Sequence, residues 1–141
     1  MTESNPVPAK RPKPFASLRV DPKKVSDGVW ITHPDSGDRL RVRRMWCPEH
    51  VRAYEQAVQD YDAKNGKDAN LSKDGRAHCE AVAIATGLVV DWAPVGGEDR
   101  PYDAATMTAA LLDPEYVELR QWILLEARGR DHFRPDHVLG H

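Results

Sequence analysis

Apolar and polar residues alternate with two different periods along this chain, and the change falls close to residue 46. Between residues 28 and 45, GVWITHPDSGDRLRVRRM, two β-prone runs flank PDSGD, a segment with the composition of a turn. The pattern predicts a β-hairpin. In its second run Leu40 and Val42 alternate with Arg39, Arg41 and Arg43, so the aliphatics should face a core and the arginines the opposite side. From Pro48 onward the period lengthens to about 3.6. Pro48 suits the first position of a helix and Glu49 suits the positive end of its dipole. Val51, Tyr54, Val58 and Tyr61 then mark one apolar stripe, which fades at Asn65-Gly66. Ser72 is placed to cap a second helix carrying Ala77, Ala81, Val82, Ile84 and Ala85, with Gly87 expected to end it. Asp103 should cap a short helix reaching Leu112. Asp113-Pro114-Glu115 restarts a last helix, with Tyr116, Leu119, Trp122, Ile123 and Leu125 on a broad apolar face that closes at Gly129. The expectation is an α+β fold, mainly helical, with an N-terminal β-hairpin followed by about four helices.

Length changes this picture little: 141 residues are enough for one domain and one core. Composition divides the chain into a flexible, basic, Pro-rich arm over residues 1–24, a hairpin-plus-helix domain over 25–133, and a tail over 134–141. The net charge of -2 gives no global attraction to nucleic acid or to anionic membranes. Its distribution is uneven, because Lys10, Arg11, Lys13, Arg19, Lys23 and Lys24 in the arm oppose only Glu3 and Asp21. No apolar run approaches the roughly 20 residues of a membrane span, and the N-terminus lacks the apolar core of a secretory signal. These features predict a cytoplasmic protein without a membrane partner. Two cysteines, Cys47 and Cys79, are too few for a disulfide framework and are expected as thiols.

Candidate chemistry is sparse. Cys47 and His50 with His78 and Cys79 contain the residue types of a tetrahedral zinc site, but neighbouring helical residues point about 100 degrees apart and cannot easily converge on one ion. Cys47 at a helix N-terminus with His50 one turn on could form a thiol–imidazole pair, yet no oxyanion site accompanies it. The Gly-Gly of VVDWAPVGGEDRPYD, residues 89–103, sits among Asp91, Glu98, Asp99 and Asp103, which would repel a phosphate, so it reads as a connecting loop. Trp30, Trp46, Trp92 and Trp122 could stack bases, but beside aliphatic neighbours they read better as core anchors. No enzyme activity, metal or cofactor is expected.

The run LVVDWAPVGGEDRPYDAATMTAALLDPEYVELRQWILLEARGRDHF, residues 88–133, resembles small proteins encoded among the tail genes of long-tailed bacteriophages and prophages, the tail assembly chaperone-like proteins. The shared features are an aliphatic run ending in Asp91-Trp92, a variable Gly/acid loop, Pro101-Tyr102, a short Ala/Leu helix, and a last helix closing in His132-Phe133. The hairpin with its basic second strand also fits. The resemblance implies that Trp92 and Tyr102 pin the ends of the loop against the core. It further implies a non-catalytic factor that coats the tape measure protein in the host cytoplasm, helps recruit tail tube protein, and leaves before the virion matures. For such a factor, what the core leaves of the apolar faces of helices 48–64 and 114–128 should supply the contact surface, with Tyr54, Tyr61 and Trp122 as anchors and with homo-oligomers as one way of presenting it. Two rival expectations stand beside it. One is a structural virion component, a minor tail or head-tail joining protein. The other, less favoured, is a nucleic-acid-binding regulator that uses the arm and Arg39, Arg41 and Arg43 against an anionic partner.

Overall fold

The computed structural model describes residues 14–93 and 100–136. The basic arm ends earlier than its composition suggests. Asp21 accepts a hydrogen bond from the Lys23 N–H and Pro22 follows it, so a short helix α1 (Pro22–Asp27) begins there. The Asp21 N–H donates to the Phe133 carbonyl at 2.6 Å, the Lys24 ammonium donates to the Arg134 carbonyl at 2.9 Å, and Lys24 pairs with Asp136. The first part of the expected tail is therefore tied down, and Phe133 is fully buried. Residues 1–13 of the arm and 137–141 of the tail lie outside the described residues.

The hairpin forms as its alternation requires, although α1 precedes it. Strands β1 (Val29–Thr32) and β2 (Arg39–Val42) pair antiparallel, with Ile31 opposite Leu40 and Trp30 opposite Arg41. Between them His33 Nδ1 accepts from the Asp35 and Ser36 N–H groups, both at 3.2 Å, which fixes the turn. A third strand, β3 (Val89–Trp92), adds to the other edge of β2 with a bulge between Arg41 and Val42. Four residues of VVDW carry no period long enough to separate strand from helix, so β3 was not among the expected elements. Ile31, Leu40, Val42 and Val89 turn inward and are buried.

The helices are α2 (Pro48–Asn65), α3 (Lys73–Ala83), α4 (Ala104–Leu112) and α5 (Val117–Arg128). Ser72 Oγ caps α3 through the Gly75 N–H, Asp103 caps α4 through the Ala105 N–H, and Asp113 caps the turn before α5 through the Glu115 N–H. Gly87 does not stop α3 as a cap. It lies inside a wide π turn (Ile84–Leu88) that carries the chain from α3 into β3. Its reason is a close approach: a Cβ at Gly87 would stand 2.8 Å from Ala53 Cβ and 2.8 Å from His50 Cα. The buried face of α2 accordingly centres on His50 and Ala57, while Val51 is exposed and Tyr54, Val58 and Tyr61 are half-buried. A stripe drawn through the largest apolar residues thus missed the true contact line, which runs through small residues and a histidine. The architecture is α+β and mainly helical, with a three-stranded antiparallel sheet packed on the helices around Val42, Leu88, Ile123 and Cys79.

Candidate functional site

The segment between β2 and α2 is unusually well anchored for a loop. The Arg43 N–H donates to the Leu88 carbonyl at 2.8 Å and the Met45 N–H to the Ala127 carbonyl at 2.9 Å. The Arg43 side chain reaches the Ser26 carbonyl at 2.6 Å and the Gly87 carbonyl at 3.2 Å. Ser26 Oγ in turn donates to Glu49 Oε2 at 2.6 Å, and that bond holds the Glu49 carboxyl below its ordinary pKa. Because both flanks are fixed, the chain must turn sharply at Trp46, which adopts a left-handed conformation with φ 65. For a residue other than glycine this costs roughly 1–2 kcal/mol.

His50 compensates. It occupies the third position of α2, and its Nδ1 accepts the Trp46 N–H at 3.0 Å. In a capping box a Glu or Gln at this position reaches back to the N-cap N–H; here an imidazole reaches one residue further. The two rings also stack, with centroids 4.7 Å apart and a tilt of 32°, and Tyr54 meets Trp46 edge-on at 6.3 Å. His50 is only 3% exposed whereas Trp46 is 60% exposed. Burial lowers the imidazole pKa, so the neutral ring is the favoured form.

Beside this stack opens a groove lined by Met45, Trp46, His50, Tyr54, Ile84 and Leu124, with Glu80 at its polar end. Glu80 is paired with Arg120 of α5. The cavity measures about 240 Å³, below the range of about 300–1,000 Å³ typical of small-molecule sites. Its size and apolar walls suit an inserted side chain. Leu125, next along α5 from Leu124, is itself 60% exposed.

Of the residues singled out by sequence, Tyr54 lies in this groove. Tyr61 lies in a separate depression with Ala57, Lys64, His78 and Val82, its ring 5.2 Å from that of His78. Trp122 is only 8% exposed and packs edge-on against His33 at 5.0 Å, so its ring belongs to the core and offers no surface anchor. On the last helix the core takes Trp122 together with Ile123 and Ala127, while Val117 and Leu125 stay exposed. The three hairpin arginines do not form one patch. Arg39 lies over the Trp30 ring at 5.0 Å, Arg41 stands opposite Asp91 across the sheet, and Arg43 is spent on the two carbonyls already described. Asp91 also lines the depression that holds Arg39, so a row of phosphates would meet an acid beside these arginines.

Neither thiol is activated. Burial raises both Cys47 and Cys79, and His50 has committed its Nδ1 to Trp46. Among the described residues no group of three or more His, Cys, Asp or Glu side chains is arranged to hold a metal ion, and no helix is long and apolar enough to cross a membrane. Trp92 and Tyr102 do meet at the ends of the acidic loop: their centroids are 4.9 Å apart, Trp92 Nε1 donates to the Arg100 carbonyl at 2.9 Å, and the Tyr102 hydroxyl donates to the Ala85 carbonyl at 2.6 Å. The loop between them, residues 94–99, lies outside the described residues. The sequence reading took Trp46 as a core anchor and paired His50 with Cys47; the structure instead exposes Trp46 and pairs it with His50. A large apolar residue just before the N-cap of a helix, with a hydrogen-bonding residue at the third position, is the signal that could have found it. No protein-family model, no curated protein and no solved structure matches the chain.

Proposed function

We propose that this protein is a non-catalytic binding protein of the tail assembly chaperone type, which takes an apolar helix face of a tape measure protein into the groove beside Trp46 and assists tail tube assembly in the host cytoplasm. The observation that carries the reading is the pairing of a mostly exposed indole with an apolar cavity of side-chain size. A helix presenting apolar residues three and four apart could seat one in the cavity while its neighbours cover Trp46 and Leu125. A tape measure helix carries such a face until the tail tube encloses it, and covering it would keep the helix from aggregating. The sequence resemblance over residues 88–133 supplies the partner, and the groove supplies the means.

Co-expression with the tape measure protein tests this directly. The expected result is a soluble complex that survives size-exclusion chromatography, while the tape measure protein alone precipitates. If the two elute apart and this protein is found in purified virions, the structural virion reading replaces it.

A further inference from the structure

The stacked pair at the groove's edge has a property that ordinary packing does not require: the wall residue is held by a group that can change charge. Trp46 keeps its left-handed backbone between two fixed flanks, and its N–H has a buried imidazole nitrogen as partner. An imidazole accepts at Nδ1 only while that nitrogen is unprotonated, so the hydrogen bond assigns the proton of the neutral ring to Nε2. On protonation both nitrogens become donors. Two N–H groups would then face each other at the Trp46–His50 contact, and the ring stack would carry a buried cation.

We infer that His50 is the positioning residue that fixes Trp46 as the wall of the groove, and that protonation of His50 releases this wall. This deepens the groove reading and rests on it. The charged and titratable groups around His50 come from each neighbouring element. They are Cys47, Glu49 and Tyr54 on its own helix and cap, Arg43 on the preceding loop, and Glu80 on α3, which is paired with Arg120 of α5. Glu49 and Glu80 favour the imidazolium, but each is already bonded, Glu49 to Ser26 and Glu80 to Arg120. Gly87 approaches the His50 backbone and Ile84 lines the groove beside it, neither with a polar side chain. Burial of the ring selects the neutral, accepting form of His50 and lowers its pKa.

A pH titration of the ¹⁵N-labelled, full-length protein followed by NMR tests the inference without any partner, so its failure leaves the groove reading standing. At neutral pH the ring nitrogens of His50 should report the Nε2–H tautomer. As the pH falls below 6.5, the Trp46 backbone amide should move with the same midpoint as the His50 ring, while amides of the sheet stay in place. His50→Asn, whose Oδ1 can accept where Nδ1 did and does not titrate, should keep the neutral-pH position of the Trp46 amide and abolish its pH response. An Nδ1–H tautomer, a Trp46 amide that ignores the His50 titration, or a pH response that persists in His50→Asn would overturn the inference. Collapse of the whole amide spectrum at the His50 midpoint would also overturn it, because His50 would then be a determinant of the entire fold.

Discussion

Trp92 with Tyr102 and Trp46 with Tyr54 are both edge-on aromatic pairs at the boundary between a sheet strand or loop and the helices, yet one is closed and the other open. In the first pair both polar handles are used on backbone carbonyls, and burial pushes the Tyr102 phenol well above its usual pKa. Both rings are half-buried and tethered at their polar ends. In the second pair the backbone N–H of Trp46 carries the bond, so the indole is left projecting over a cavity. The same residue types serve cohesion in one place and presentation in the other, and the difference lies in which part of the residue is tethered.

Substitutions can sharpen that contrast. Tyr102→Ala should cost the most, about 3 kcal/mol in chemical denaturation, because it empties a partly buried ring site and frees the Ala85 carbonyl. Gly87→Val should follow at about 2 kcal/mol, since its side chain meets Ala53 and the His50 backbone and must push α2 away. That variant also displaces His50, so the groove should lose its partner along with some stability. Tyr102→Phe keeps the ring and loses the hydroxyl, for about 1 kcal/mol. Trp46→Ala should change stability least of these, by under about 1 kcal/mol, because most of the indole already faces solvent. If Trp46→Ala destabilises the fold as much as Tyr102→Ala, the two clusters are not different in kind.

Acid should separate them as well. The folded pKa of His50 is lowered below 6.5, so its contribution to stability is complete above that value and is lost as the pH falls from 6.5 toward the folded pKa, where the unfolded chain binds the extra proton. Denaturation midpoints measured through this window should decline in the wild type and decline less in His50→Asn. The Trp92–Tyr102 pair has no group that titrates there, and Tyr102→Phe should leave the slope unchanged.

The fold was legible where local chemistry decides it. Ser72, Asp103 and Asp113 announce helix starts by side chains that the structure places on the expected N–H groups, and the Leu40/Val42 alternation fixes the face of β2. What stayed hidden depends on neighbours distant in sequence. β3 is a strand because β2 offers it an edge, and the buried line of α2 runs through Ala57 and His50 because Gly87 allows a close approach. The candidate site followed the same rule. Tyr54 could be marked by its periodicity, but Trp122 was claimed by the core, and the exposure of Trp46 depends on a left-handed turn that no composition prints.

The proposed binding of an apolar helix at the open cluster turns on the exposed indole of Trp46. It is tested most directly by retaining the tape measure protein on immobilised wild type, Trp46→Ala and Tyr102→Phe in parallel. Retention is expected for wild type and Tyr102→Phe, with at least a tenfold loss for Trp46→Ala, corresponding to about 1.4 kcal/mol or more of binding energy. Equal retention by Trp46→Ala, or no retention by the folded wild type, would contradict it.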